Sequence, residues 1–421
     1  AAFLAVKKGL NTIILERKAK QIIGNKVCGD GIGTSSLNAL SSIGMTLDKE
    51  KIVLSYPEEA QIIAPDRSIV NSFRLKKQIV FLNRYAFGQA LLSEALNAGA
   101  TLYERHRVQS VYTKEKEDIF EVTIQGKSNK FQAPAIIDAS GTHSWLRDKS
   151  SFFPLDCVEW GDMFTCYREI VKLSEKNENP ASLKLEFNQK IARGGYIWHF
   201  DRPGNEANVG VAIPRHRIGS SSPKTCYKTY IFENMAVEKV LDGRGGTVPS
   251  RHPLITHTNK NGIWLVGDAG LIVHPFYGAG LGSALHSGRE AAISAVNFLS
   301  GDASPWNYNL TLLERYGKRY ALIDFFRLLL HRLTDEEVNK SLHEGLLPAF
   351  HLFDIDYAEL IKLCQKYEPL WVNAPIKLFQ ILPKYINKMN LHLQNYPQEF
   401  NAAITDWSIE YKKIYQNFLQ A

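Results

Sequence analysis

The chain of 421 residues is 45% hydrophobic and 22% charged, with a formal net charge of +7. That is enough apolar material for a large core and a length suited to two or three domains. Several classes are excluded. No run of Lys and Arg is long enough for a nucleic-acid partner, and no apolar run approaches a membrane span. The five cysteines (Cys28, Cys157, Cys166, Cys226 and Cys364) contain no C-x-x-C pair, so neither a disulfide framework nor a zinc site follows, and no metal is expected. A reducing, cytoplasmic setting is the expectation. The modest basic excess suits an anionic partner such as a phospholipid surface or a dinucleotide, although a solvated basic face is its commoner meaning.

In chain order, Ala1 to Gly9 is predicted as the back half of an apolar helix with a glycine stop. Asn11 to Leu15 (NTIIL) is a buried strand, and Glu16 stands at its end. In a dinucleotide fold an acidic residue there bonds the adenosine ribose; the bland alternative is a solvent-exposed strand end. A first strand and a G-x-G-x-x-G loop would have to lie just upstream, so the sequence is read as N-terminally truncated. Next comes the turn Val27-Cys28-Gly29-Asp30-Gly31, whose glycines allow close backbone approach. Runs at Glu59–Ala64, Ile69–Leu75 and Ile79–Leu82 read as strands, punctuated by Pro65-Asp66-Arg67. Arg84 opens a helix over Phe87–Ala98 that Gly99 ends, and on its own it is an ordinary helix-start arginine. Val108–Tyr112, Phe120–Ile124 and Lys130–Ala133 look like a meander. Ala135–Gly141 is another buried strand, followed by Thr142-His143-Ser144-Trp145-Leu146-Arg147.

Residues 150–250 change character, with Trp160, Phe164, Tyr167, Phe187, Tyr196, Trp198 and Phe200 alternating with polar residues. That pattern predicts an antiparallel sheet with one aromatic face. Tyr196, Trp198 and Phe200 fall on one face by their period of two; in an arbitrary sequence such a stripe is core. Ile263–Val266 is then a buried strand ended by Gly267-Asp268-Ala269, with Pro275 and the glycines Gly278, Gly280 and Gly282 before a helix over Ser283–Phe298. Leu285, Ala292, Val296 and Leu299 would share one side of it. Strand, carboxylate, glycine turn and bare helix start make a cradle for an anion or a carbonyl oxygen, with the carboxylate suited to a polyol hydroxyl. Residues 303–421 read as helices divided by Pro305, Pro348, Pro369, Pro375, Pro383 and Pro397.

The order Gly267-Asp268-Ala269, Pro275, Gly278-Ala279-Gly280, Ser287-Gly288-Arg289 resembles the second flavin fingerprint of FAD-dependent oxidoreductases of the p-hydroxybenzoate hydroxylase type, in the version of the geranylgeranyl reductase family. Asp138-Ala139-Ser140-Gly141 through Ser144 and Arg147 is similar to the family's D-A-x-G-x-x-S-x-x-R segment. Tyr196-Ile197-Trp198-His199-Phe200 resembles its Y-x-W-x-F signature, except that Asp201-Arg202 stands where Pro-Lys is usual. The resemblance covers roughly residues 1–300. It implies an α/β fold: a Rossmann-like FAD-binding domain lacking its first strand (1–55, 83–147 and 251–302), an antiparallel-sheet substrate domain (56–82 and 148–250) and a C-terminal helical region (303–421). It implies FAD held by Glu16, Val27, Cys28, Gly29, Gly31, Arg84, the Val108 backbone, Gly141, Gly267, Asp268, Gly278, Gly280 and Leu281. It further implies a prenylated lipid substrate walled by Tyr196, Trp198, Phe200 and Pro275, with Cys28, Tyr196 and Trp198 at the reacting centre. The partners implied are the lipid, an electron donor (NAD(P)H or ferredoxin) and peripheral contact with a membrane.

The reaction implied is reduction of C=C bonds in isoprenoid chains. An isolated trisubstituted alkene is a poor hydride acceptor and must gain cationic character at its tertiary carbon. Electron-rich rings stabilise that charge. The proton donor stays open among Tyr196, Cys28 and bound water. Two other readings compete: a flavin monooxygenase or halogenase on the same fold, and a prenyl-lipid-binding protein without catalysis. The Tyr196-Trp198-Phe200 signature discriminates against the first.

Overall fold

The computed structural model describes residues 1–75, 78–114, 119–156, 158–174, 182–219, 221–352 and 355–421. Cys157 and the side chain of Trp160 lie outside what it describes. Four short apolar strands form two parallel pairs. Ile13–Glu16 lies beside Thr101–Glu104, and Ile136–Asp138 beside Ile263–Leu265. The helices Ala2–Lys7, Arg84–Asn97 and Leu281–Leu299 cover one face through a core that includes Phe3, Leu4, Phe87, Ala95 and Ala292. The meander Val108–Lys114, Ile119–Ile124 and Lys130–Ala133 contributes Val111, Phe120 and Ile124 to a second core, with Ile263 and Leu265. Of the three strands expected to be buried, only Ile263–Leu265 is buried throughout. Ile13–Glu16 is half-buried with Ile13 exposed, and Ile136 and Ile137 are half-buried, because each of these strands has only one parallel neighbour among the described residues.

The helix after the glycine turn runs Leu281–Leu299, and its buried face is not the one the sequence suggested. Ser283, Ser287, Gly288, Ala291, Ala292 and Ala295 are buried, whereas Leu285 and Val296 are half-buried and Leu299 is exposed. A helix packed close over a strand selects small residues, and the larger aliphatics move to its flanks.

A seven-stranded sheet forms the second layer. Its order is Val237–Pro249, Met163–Leu173, Glu206–Pro214, Tyr196–Arg202, Ser182–Glu186, Glu59–Ile63, Ile69–Arg74. It is antiparallel except where Ser182–Glu186 runs parallel to Glu59–Ile63. The strand Ile79–Leu82, grouped by sequence with residues 56–82, pairs instead with Gly31–Gly33 and Val53–Ser55 in a small sheet of its own. One face of the large sheet carries Ile197, Val209 and Val211 against Tyr227 and Tyr230 of the helix Pro223–Asn234. The other face carries Phe164, Leu183, Leu185, Tyr196 and Trp198 into the main core. The alternation of side chains along each strand divides these two sets.

The C-terminal region is helical, with Lys318–Leu330 at its centre and buried from Tyr320 through Leu330. Such a helix has no solvent face to hold charge, and Arg327 Nη2 donates to Asp324 Oδ2 within it at 3.1 Å. Tyr357–Val372, Lys377–Gln394 and Ala403–Gln420 pack around it. Pro369 and Pro383 do not divide the region, since each sits inside a helix. Pro383 is buried and its packing offsets the hydrogen bond it removes, whereas Pro369 is exposed.

Candidate functional site

The glycine turn is held from three sides. Gly267 has φ +54, and its amide donates to Ser287 Oγ of the following helix at 3.0 Å. Arg147, buried after the strand Ile136–Asp138, donates from Nη1 to the carbonyl of Ala269 at 2.8 Å and from Nη2 to that of Thr142 at 2.7 Å. Ser144 Oγ donates to Asp138 Oδ2 at 2.5 Å. The segment Asp138–Arg147 therefore serves as a clamp on the turn, a positioning role that Gly141 (φ +89, with open space at its Cα) leaves unobstructed. Asp268 is left half-buried, with no hydrogen bond to its carboxylate among the described residues. A Cβ on Gly280 would stand 3.3 Å from Asp268 Oδ1. Gly278 has φ +66, Gly280 is the N-cap of Leu281–Leu299, and no side chain caps that helix start. A bare helix start beside an unpaired carboxylate provides amide donors and a hydroxyl acceptor together.

The Cys28 loop faces the same place. Burial raises the Cys28 thiol above its usual range, with Arg84 opposing and Asp30 and Asp268 adding to the rise, so these four groups share one electrostatic neighbourhood. Arg84 begins the helix Arg84–Asn97, and its Nε is buried without a partner among the described residues. An orphaned guanidinium nitrogen, an unbonded carboxylate and a glycine cradle together fit a polar cofactor with phosphate and hydroxyl groups. Val27 packs where a Cβ on Gly246 would approach it at 3.4 Å. Gly31 enters the small sheet opposite Phe81. Glu16 and Val108 form a separate group. Glu16 Oε1 accepts from the Lys18 amide at 2.9 Å, and its neighbour Leu15 shares a core with Val108.

The aromatic strand closes on both turns. The Tyr196 hydroxyl donates to the carbonyl of Tyr277, and a Cβ on Gly278 would stand 3.2 Å from the Tyr196 hydroxyl oxygen. Pro275 lies buried in the same turn, its carbonyl accepting from Ser250 Oγ at 3.2 Å. Trp198 Nε1 donates to Asn208 Oδ1 at 3.0 Å. The Asn208 amide donates in turn to the Cys28 carbonyl and to Asp30 Oδ2, both at 2.8 Å. Phe200 stacks on Phe81 at 5.4 Å, and a Cβ on Gly29 would strike it at 2.7 Å. Tyr196 and Trp198 are 7% and 6% exposed, so the rings of this strand are packed in the core as well as seated on the two turns.

Asn208 is the residue the sequence did not single out. It is the one amide in the run Ala207-Asn208-Val209-Gly210-Val211, and that polar interruption was its only signal. Gly210 on the same strand is required for space, since a Cβ there would stand 2.3 Å from Trp198 Cζ2.

Residues 162–248, which span the aromatic strand and Asn208, match the geranylgeranyl reductase catalytic domain. A digeranylgeranylglycerophospholipid reductase of Methanopyrus kandleri is 30% identical over 76% of this chain and 82% of its own. The chain belongs to the geranylgeranyl reductase family. The digeranylgeranylglycerophospholipid reductase of Sulfolobus acidocaldarius is 26% identical and spans 99% of the chain and 95% of its own length. Among solved structures, a geranylgeranyl bacteriochlorophyll reductase-like protein of Thermoplasma acidophilum has the same fold. It gives a TM-score of 0.71 at 21% identity over 87% of this chain and 95% of its own. A flavin-dependent brominase shares the fold at a TM-score of 0.63 and 15% identity, over 88% of this chain and 96% of its own. The flavoprotein fold expected from the glycine turn is thus the fold of the family. No described helix is long and apolar enough to cross a membrane.

Proposed function

We propose that this chain reduces C=C bonds in the geranylgeranyl chains of archaeal membrane lipids, with FAD as its resident cofactor. The observation that carries the reading is the seating of the aromatic strand on both turns, Tyr196 on the Tyr277 carbonyl and Trp198, through Asn208, on the Cys28 carbonyl. Asp268 would bond the ribityl hydroxyls, Arg84 and the bare start of Leu281–Leu299 the polar parts of the dinucleotide, and Glu16 and Val108 its adenosine end. A bound flavin, once reduced by an NAD(P)H or ferredoxin donor, supplies the hydride.

The chain's own residues supply the rest. Tyr196, Trp198 and Phe200 present ring faces to the carbon that becomes cationic, and their burial excludes water that would capture it. Burial pushes the Tyr196 hydroxyl well above its ordinary range and its proton is engaged by the Tyr277 carbonyl. The Cys28 thiol is also held protonated by burial, and no carbonyl engages its hydrogen among the described residues. Cys28 Sγ is therefore the position assigned to the proton. Proton to one alkene carbon and hydride to the other leave a saturated bond, with no further reactant. Contact with a lipid surface follows from such a substrate.

The test is anaerobic incubation of the flavin-loaded protein, chemically reduced, with a digeranylgeranyl glycerophospholipid. Mass spectrometry is expected to show one H2 gained per bond reduced. A protein that retains flavin yet returns the lipid unchanged, or hydroxylates or halogenates a substrate in air, would refute the reading.

A further inference from the structure

We infer that Arg193, Arg217, His331 and Arg332 form a site for the phosphate ester of a prenylated lipid, at the opposite end of the aromatic stripe from the Cys28 loop. The inference rests on the prenyl reading above, because it places the polar end of that substrate.

His331 caps the interior helix Lys318–Leu330 and is 5% exposed, yet neither ring nitrogen has a hydrogen-bond partner among the described residues. Leaving a buried imidazole bare is costly, and a structure that keeps one has a use for it or a ligand on it. Gly194 makes room for it. Its φ is +73, and a Cβ there would stand 3.3 Å from both Cα and Cδ2 of His331. On one side the ring meets His216 with centroids 5.3 Å apart. The next residue, Arg217, is half-buried, and its Nε is a second orphan. Arg193 and Arg332 lie near enough to Arg217 to disfavour its charge, after burial itself.

The carboxylates that reach this cluster are already engaged. Asp162, felt by His216, is held by Arg251 at 2.8 Å. Asp324 is held by Arg327, the one further arginine that bears on His331. Three guanidiniums gathered without a free carboxylate among the described residues are unfavourable until an anion enters, and planar N–H forks match a phosphate. The C-terminus of Lys318–Leu330 opposes an anion on the helix axis, so the arginines carry the charge while a neutral His331 ring N–H donates.

On its other side the His331 ring meets Phe164 at 6.2 Å, and Phe164 meets Tyr196 at 5.9 Å. Two ring contacts therefore join the basic cluster to the stripe. A prenyl chain lying along Tyr196 and Trp198 brings its polar end to the arginines.

The experiment compares binding of digeranylgeranylglyceryl phosphate and of the same diether without phosphate to the flavin-loaded full chain, by calorimetry in detergent. Inorganic phosphate is added as competitor, and the variants Arg217→Gln and Arg193→Gln are run alongside. The wild type is expected to prefer the phosphorylated lipid by about tenfold or more, as charge-assisted hydrogen bonds predict. Each variant should lose most of that preference at unchanged melting temperature, and inorganic phosphate should compete only at far higher concentration than the lipid. Arg193 is exposed, so its variant guards against misfolding at Arg217. Equal affinity for the two lipids, or a preference that survives both substitutions, overturns the proposal. Displacement by inorganic phosphate at lipid-like concentration also overturns it, by marking a free-anion site. Preferential binding without reduction of either lipid would keep this site and sink the reductase reading; reduction without preference would do the reverse.

Discussion

At the scale of single residues, Asp268 and Trp198 separate cofactor from substrate. The Asp268 carboxylate has no partner to lose among the described residues, so Asp268→Ala is expected to spare the fold and weaken flavin retention. A charge-assisted hydrogen bond to a ribityl hydroxyl is worth about 1.5–3 kcal/mol, roughly tenfold to 150-fold in Kd. Flavin absorbance after gel filtration measures it, and undiminished retention would remove Asp268 from the site. Trp198 is harder because it is both core and wall. Trp198→Ala deletes the indole from a buried position, which costs about 3–5 kcal/mol on packing alone. It also frees Asn208, whose amide anchors the Cys28 carbonyl. We expect a larger loss of lipid reduction per folded, flavin-loaded molecule than Trp198→Phe produces, since Phe keeps a ring face but not the N–H. Melting temperature, flavin content and product are measured together. Normal turnover per folded molecule in Trp198→Ala would leave Trp198 a packing residue. The sequence displayed both residues through local patterns, a strand-end carboxylate and a period of two. It did not display Asn208, because what matters there is its partners, and these lie 10 residues away on a neighbouring strand and 178–180 residues away in the Cys28 loop.

At the scale of elements, the helix Arg84–Asn97 shows what local periodicity reveals and what it leaves out. Its start at Asn83, which accepts from the Ala86 amide at 3.1 Å, and its end at Gly99 with φ +113 are both written in capping chemistry. The meander and the hairpin at Pro65-Asp66-Arg67 were legible for the same reason, since breakers and alternation are local. The outer surface of the helix was not. Tyr85 Oη donates to the Gln21 carbonyl at 3.0 Å, and Gln89 Nε2 donates to the carbonyls of Lys20 and Ile23 at 2.9 and 2.8 Å. Between these anchors Gly88 and Gly24 meet backbone to backbone, and a Cβ on Gly88 would stand 2.3 Å from Gly24 Cα. The segment leading into Val27-Cys28-Gly29 is thus laid onto the helix. Gly88→Ala gains up to about 1 kcal/mol of helix propensity, but the clash is with backbone that cannot rotate away, and overpacking of this kind costs about 1–3 kcal/mol. The expected result is a lowered melting temperature together with weaker flavin retention, because the Cys28 loop shifts with its support. A stabilised, flavin-replete variant would show that the contact yields freely.

At the scale of the whole molecule, burial holds His252, His257, His274 and His331 neutral, and they set a pH dependence. Burial depresses His257 to about 4 and His274 to about 3, and it holds His252 and His331 well below the ordinary range. Above the unfolded value near 6.5, both folded and unfolded states are neutral at these sites and nothing is gained or lost. Below it the unfolded chain takes up protons that the folded chain refuses, so stability falls as pH falls, and each histidine continues to act down to its own folded value. The limiting slope is about 1.4 kcal/mol per pH unit per histidine. Two such groups over two units approach 5 kcal/mol, comparable with the whole stability of many domains. Asp30 and Asp156, raised by burial, work in the opposite sense, regaining stability as pH falls from their raised folded values toward the unfolded value near 3.9, but they are fewer. The melting temperature is therefore expected to stay nearly level from pH 7.5 to about 6.5 and to drop steadily below that. His274→Gln should flatten that drop, because a glutamine amide can still donate to the Leu352 carbonyl that His274 Nε2 approaches at 2.8 Å, yet it binds no proton. Differential scanning calorimetry of both proteins at several pH values decides it. A melting temperature constant across the range, or a slope that His274→Gln leaves unaltered, would mean that the buried imidazoles do not govern the acid limb. The same titration bears on the substrate end of the molecule: His331 sits two ring contacts from Tyr196, and protonating it would add a fourth charge beside Arg193, Arg217 and Arg332. A phosphorylated lipid bound there should protect the protein against acid more than its neutral counterpart does, since the anion stabilises the protonated ring that the empty site refuses.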